Sequence, residues 1–398
     1  MHIISYLCTM IHALIISFPL FVCTILSAEL VVSLWRRYDR ARAYLLLWSL
    51  TATVLYAMHY VFFSHAVAWL PLADSIYAAC NLAVYPLYLI YIYELTDERP
   101  LRHRLMWTSG LMTVAILAAV VVGSLYQQMS PAETADFINV YLYRTSHKTL
   151  LGLAAVQSVV HNACRVLFAV SVLGTVIIGV LRIRRYNHFI ATLYADAERR
   201  QLNGVGVILK LLLVISLLSM VVNILGRSYF ADSEWLMLPS VAFSCLLFAI
   251  GQAGLHQRYS IRDVERDEAG GSYELAASPV ILPVDVPSPQ PQLLDSSNGE
   301  CALTLKLRAL VEGDHRFMQP DLKLDDLARQ LGTNRTYLLR AIKQDLKMTF
   351  SEYINRQRIS YATTLMAHHP DWSKAEIANR VGYSSLSTFY RNLSEFGS

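Results

Sequence analysis

Between Leu324 and Leu393 the chain spaces hydrogen-bonding side chains as two short helices would if each presented them on one face. Arg335, Thr336, Leu339, Arg340 and Lys343 fall opposite Leu338, Ala341 and Ile342, with Asn334 just before them. Fifty residues further on, Ser387, Thr388, Arg391 and Asn392 fall opposite Leu386, Phe389, Tyr390 and Leu393, preceded by Ser384 and Ser385. Arginine, serine, threonine and asparagine beside an apolar tip form a set that reads the edges of base pairs. Arginine donates two bonds to guanine, leucine or threonine meets the thymine methyl, and lysine is expected to hold a phosphate.

Those side chains need elements that present them, and the preceding residues supply them twice. Leu327-Ala328, two residues, Leu331-Gly332 recurs as Ile377-Ala378, two residues, Val381-Gly382. Two helices crossing steeply need a small residue at the contact and a glycine where the chain reverses, roles that fall to Ala328, Ala378, Gly332 and Gly382. Asn334 in the first copy and Ser384 or Ser385 in the second suit the start of the following helix. A solvated face on a small bundle could show this pattern once; two copies in tandem predict two DNA-reading helix-turn-helix units.

From about Leu303 onward the chain resembles the DNA-binding domain of the AraC-type bacterial transcription regulators. The likeness runs through Leu324-x-x-Leu327-Ala328, Leu331-Gly332-x-Asn334-x-x-Tyr337-Leu338-x-Arg340, Phe350-Ser351-Glu352-Tyr353-Ile354-Asn355 and Ile377-Ala378-x-x-Val381-Gly382-Tyr383-x-Ser385. It implies that both recognition helices enter successive major grooves on one face of promoter DNA, with RNA polymerase as a further partner. It also implies one helix joining the two units, for which Glu352 to about His368 is the segment here. The family pattern continues past the second recognition helix through a proline to a last helix, whereas this sequence reads Phe396-Gly397-Ser398 at that point.

The rest of the chain is of another kind. Of 398 residues 55% are hydrophobic and 16% charged, too apolar for an ordinary soluble protein. Seven stretches have the roughly 20 apolar residues that a spanning helix needs: Ile11 to Leu34, Ala43 to Ser64, Leu72 to Leu95, Leu105 to Tyr126, Val156 to Leu181, Gly204 to Leu225 and Leu236 to Leu255. The first lacks a basic leader, so it is not expected to be a cleaved signal. One set of connecting loops carries Arg36, Arg37, Arg40, Arg42, Arg99, Arg102, Arg104, Arg182, Arg184, Arg185, Arg199, Arg200, Arg258, Arg262 and Arg266. The alternate loops carry Arg144, Lys148 and Arg227. The positive-inside rule then puts the N-terminus outside and the DNA reader in the cytoplasm, anchored in a bacterial inner membrane. Trp35, Trp48, Trp69, Trp107 and Trp235 are expected at the membrane interfaces.

Polar groups inside spans are costly, so they pack helices or line a site. His59, Tyr77, Asn81, His161, Arg165 and Asn223 could converge on a pocket open to the outside, with Arg165 facing an anionic ligand. The alternative is interhelical hydrogen bonding with an Arg165 to Asp74 ion pair. The loop Gln127 to Leu150 is too short for a folded sensor, which leaves sensing to the bundle. Pro279, Pro283, Pro287, Pro289 and Pro291 mark a flexible linker. A tether of this kind sets local concentration, so association of two bundles into a homodimer is the expected route for a signal.

The six cysteines form no paired spacing, and no catalytic, metal-binding or cofactor-binding motif stands out, so neither an enzyme nor a cofactor is expected. The fold expected is all-α: a seven-helix transmembrane domain over 1–255, a linker over 256–300 and a tandem helix-turn-helix domain over 301–398. The function expected is a membrane-bound regulator that binds a promoter and senses a ligand or membrane partner. The alternative is a transporter or channel with a DNA-binding tail.

Overall fold

The computed structural model describes residues 2–96, 101–202, 237–257 and 302–397, with positions scattered between 204 and 217 and residue 260. The expected linker over 256–300 lies almost wholly outside the described residues, as does half of the stretch Gly204 to Leu225. The chain forms two compact units: Met1–Ile183 with Leu202–Arg262, and Arg184–Gln201 with Asp263–Ser398. Among the described residues all regular structure is helical, apart from one antiparallel bridge between Tyr194 and Lys323.

The first unit contains α1 (His2–Arg36), α2 (Arg40–Phe63), α3 (Leu70–Thr96), α4 (Leu101–Gln128), the short α5 (Pro131–Phe137), most of α6 (Gly152–Leu193) and α7 (Met237–His256). α1 packs on α2 and α7, α2 on α3, and α3 on α4. Among the described residues five segments are long and apolar enough to cross a membrane: Leu14–Arg36, Arg40–Phe63, Val67–Thr96, Ser109–Gln128 and Gly152–Leu193. Seven were expected; the apolar part of α7, Ser240–His256, is shorter than these. The helices carry apolar side chains on outer faces too, such as Phe18, Phe21 and Ile25 on α1 and Val166, Val170 and Ile177 on α6. Helices apolar on every side need a nonpolar surrounding.

Inside the bundle the helices meet through small polar contacts of the kind that hold helices together in lipid. The Ser27 and Ser49 hydroxyls share a 2.8 Å hydrogen bond between α1 and α2. Trp48 corrects the expectation of an interfacial ring: it is 1% exposed and packs against Tyr88 at 5.6 Å. One turn and more inside α2, its ring stabilises the bundle most by filling the interior.

The segment from Gln127 to Leu150 is a packed cap. Ser130 and Glu133 cap the start of α5 reciprocally, Glu133 N–H donating to Ser130 Oγ at 3.3 Å and Ser130 N–H to Glu133 Oε2 at 2.9 Å. Glu133 also accepts from Leu153 N–H at 3.2 Å, closing the first turn of α6. These bonds hold the Glu133 carboxyl below its ordinary pKa, the Ser130 backbone bond most strongly. Beneath it Phe137, Ile138, Leu142 and Tyr143 join Phe62, Val122 and Tyr126 in one apolar cluster.

The second unit comprises residues 184–201, α8 (Ala302–Arg308), α9 (Leu324–Gln330), α10 (Arg335–Ala341), α11 (Phe350–His368), α12 (Lys374–Arg380) and α13 (Leu386–Phe396). It has two apolar cores. Leu307, Phe317, Leu324, Leu327, Ala328, Leu338 and Ile342 form one with Phe350, Tyr353 and Ile354 of α11. Ile377, Ala378, Val381, Tyr383 and Phe389 form the other with Ile359 and Ala362 of the same helix. α11 therefore serves both cores, as the resemblance implies. Its start is set by Thr349, whose hydroxyl accepts from Glu352 N–H at 3.2 Å while Glu352 accepts from Thr349 N–H at 2.7 Å.

Candidate nucleic-acid interface

The two reading units are built by the same backbone device. In the first, Gly332 N–H bonds Arg329 C=O at 3.1 Å and Thr333 N–H bonds Ala328 C=O at 2.9 Å; in the second, Gly382 bonds Asn379 at 3.2 Å and Tyr383 bonds Ala378 at 2.9 Å. This closing pattern needs a left-handed residue after the helix, and the glycines adopt φ of +65° and +92°. Space differs between the turns. A Cβ on Gly332 would meet open space, whereas one on Gly382 would strike the Met318 carbonyl oxygen.

In the first reading unit Asn334 caps α10, its side chain accepting from Tyr337 N–H at 3.0 Å. Leu338, Ala341 and Ile342 are buried. Thr336, Arg340 and Lys343 are exposed on the other side, with Arg335 and Leu339 half-buried. Leu339, expected outside, lies partly against the first core.

The second recognition helix, α13, is turned differently from the expected phase. Phe389 is fully buried, but Leu386 and Tyr390 are 42% and 46% exposed, while Thr388 and Asn392 are 5% and 4% exposed. Burying polar groups is tolerable because each has a partner. Asn392 donates to the Tyr383 hydroxyl at 3.2 Å, and the Thr388 hydroxyl donates to Glu198. Burial pushes the Tyr383 phenol up to about 12, which keeps it neutral beside that amide. Ser387 and Arg391 are exposed, Ser385 is half-buried, and Tyr390 stands under Lys374. Ser385 occupies the position before α13, its hydroxyl bonded to that of Ser387 at 2.8 Å.

Arg358 ties the two reading units together and is missed by pattern reading. Its side chain is 1% exposed and donates to the Phe317 and Gln319 carbonyls at 2.7 and 2.8 Å, while its guanidinium lies over the Tyr383 ring at 5.3 Å. Burial lowers its pKa from the ordinary arginine value, and it stays protonated at neutral pH. Its place, four residues from Ile354 and four from Ala362 on the core-facing stripe of α11, was a readable signal.

The residues expected to form a membrane pocket divide into two groups. His59, Tyr77 and Asn81 line one cavity in the first unit together with Trp48, Tyr56 and Tyr88. His59 stacks on Tyr77 at 6.2 Å. His161 sits elsewhere, its Nε2 2.8 Å from Asp74, which also accepts from the Tyr126 hydroxyl at 2.8 Å. Arg165 lies over Tyr141 at 5.0 Å. Asn223 is outside the described residues.

Residues 327–396 match the profile of a family described as a helix-turn-helix domain. Over 72 residues the chain is 35% identical to the regulatory protein PocR of Salmonella typhimurium, covering 18% of this chain and 23% of that protein. It is 31% identical over 78 residues to the uncharacterized HTH-type transcriptional regulator YtdP of Bacillus subtilis, covering 20% of this chain and 10% of that protein. To the Msm operon regulatory protein of Streptococcus mutans it is 27% identical over 101 residues, 25% of this chain and 35% of that protein. The chain thus spans from a tenth to about a third of the length of these relatives. No solved structure matches it. The carboxy-terminal region is an AraC-type helix-turn-helix domain of the kind carried by transcription regulators, and the likeness covers that domain.

Proposed function

We propose that the chain is a membrane-bound transcription regulator. A seven-span bundle over 1–255 anchors it in a bacterial inner membrane with the N-terminus outside, a linker over 256–300 follows, and a cytoplasmic domain over 301–398 binds promoter DNA. The observation that carries this reading is the doubled turn, which presents Arg340 and Arg391 from the exposed sides of two short helices. The relatives named as regulators point the same way. Packing of the arginine-rich segment 184–201 within the DNA-binding unit agrees with both lying on the cytoplasmic side. Base contacts are assigned to Arg340, Arg391, Thr336 and Ser387, and phosphate or positioning contacts to Asn334, Arg335, Lys343 and Ser385.

The bundle senses the signal. The cavity around His59, Tyr77 and Asn81 includes Trp48, whose Nε1 is buried without a hydrogen-bond partner among the described residues. It suits a mainly apolar or aromatic ligand that carries an acceptor. RNA polymerase is the partner at the promoter, and a homodimer is the form that brings two readers to adjacent sites.

The test is base preference, read by selecting duplexes from a random pool with the full chain in lipid nanodiscs. Arg340→Ala and Arg391→Ala should each relax preference at one base pair, at a cost of about 1–3 kcal/mol, and Lys343→Ala should weaken all sequences alike. Equal loss across every sequence for both arginine variants would show that neither reads bases.

A further inference from the structure

Residues 194–201, which the sequence places in a loop between two spans, are built into the DNA-binding unit. Tyr194, Ala195, Asp196 and Ala197 are all buried. Ala195 joins the core that holds Leu327 and Leu338. Its backbone is fully engaged: the N–H bonds Leu322 C=O at 3.0 Å, and the C=O accepts from Ser351 Oγ at 3.0 Å and Asn355 Nδ2 at 3.2 Å. From this anchor the segment reaches the second reading unit. Asp196 accepts from the Ser384 hydroxyl at 2.6 Å, and Arg199 donates to the Ser384 carbonyl at 2.8 Å. Beyond them the Glu198 carboxylate accepts from both the Thr388 hydroxyl and the Arg391 guanidinium, one oxygen to each.

We propose that this segment is an autoinhibitory clamp, in which Glu198 occupies the anion-binding face of the second recognition helix and must leave before that helix can engage a duplex. The proposal rests on the reading of α13 as a DNA-contacting helix. A carboxylate on arginine and threonine one helical turn apart makes the contacts that a backbone phosphate makes with the same pair. The two anions cannot share the site, and the carboxylate repels an approaching phosphate. The anchor is apolar and hydrogen-bonded while the clamp end is part-exposed, with the Glu198 and Arg391 side chains 30% and 51% accessible. The clamp end can therefore let go while the anchor holds. Because α6 runs from Gly152 to Leu193 and leads straight into the segment, a change in the bundle has a covalent route to the clamp.

The experiment uses the full chain in nanodiscs and a fluorescent random-sequence duplex of about 40 base pairs at low salt, where phosphate contacts dominate affinity. Glu198→Gln should bind about twofold to fivefold tighter than wild type, the range expected for losing a part-exposed charged contact. Asp314→Asn, which removes an exposed carboxylate elsewhere on the same unit, controls for net charge. Equal gains in the two variants would overturn the clamp. The second arm is the pair Asp196→Cys with Ser384→Cys. Oxidation should lock the segment and reduce duplex binding at least tenfold, and reduction should restore it. Failure of that disulfide to form would refute the docking, and a locked form that binds as well as the reduced one would refute the inhibition. Failure of every form to bind duplex, with the disulfide still forming, would instead sink the reading of the unit as a DNA binder and the clamp's role with it.

Discussion

Replacing Arg358 by alanine should unfold the DNA-binding unit at much lower denaturant than wild type. The side chain is 1% exposed and makes two charge-assisted bonds to the Phe317 and Gln319 carbonyls. Each such bond contributes about 1.5–3 kcal/mol net, and removing the guanidinium leaves the Phe317 carbonyl buried without it. Its stem and guanidinium also cover Tyr383. Together these make a loss of about 3–5 kcal/mol, comparable to breaking a buried ion pair by truncation. A unit of this size has about 5–15 kcal/mol in total and a urea dependence of about 1–1.5 kcal/mol per molar. The midpoint should therefore fall by about 2–5 M. Arg358→Lys, which keeps the charge and reaches one carbonyl, should lose about half as much. Pulse proteolysis in urea of the full chain in nanodiscs, read by blotting a C-terminal tag, measures both. A midpoint for Arg358→Ala within about 0.5 M of wild type would refute the claim that this side chain holds the two reading units together.

The two turn glycines should respond unequally. Gly332→Ala should cost about 1 kcal/mol, for the left-handed backbone alone, whereas Gly382→Ala adds a collision with the Met318 carbonyl and should cost at least twice that in the same proteolysis assay. Similar costs would show that the second turn relaxes freely. Above pH 10 the unit should lose stability. Tyr383 has its folded pKa raised from 10.0 to about 12, so the contribution is intact below pH 10 and fades as pH rises toward 12. Replacing Tyr383 with phenylalanine should remove that pH dependence. Topology is checked by fusions: a reporter joined after residue 266 should be active in the cytoplasm and one joined at His147 outside, and swapped activities would reverse the orientation drawn from the loop arginines.

The helical class and the doubled turn were legible in the sequence because they depend on local chemistry. Ala328, Gly332, Ala378 and Gly382 are demanded by a crossing and a reversal that involve only neighbouring residues, and Asn334 caps within its own turn. Apolar runs as long as Gly152–Leu193 need no partner to be recognised. The facing of α13 was not legible, because an apolar stripe assumes that polar groups seek water, and Thr388 and Asn392 found Glu198 and Tyr383 instead. The place of Arg358 on the core-facing stripe was legible, but its role was not: a charge in a core is stable when two carbonyls from a distant turn meet it, and sequence spacing does not show that turn arriving. His161 and Arg165, four residues apart on α6, look like partners in one pocket until Asp74 and Tyr141 are placed beside them. The largest difference lies at residues 194–201. By composition they are one more basic loop, and only the folded chain brings Ala195 into the core beneath the first reading unit and Glu198 onto Arg391. Contacts separated by nearly two hundred residues leave no periodic trace, because they depend on which surfaces the finished helices leave open.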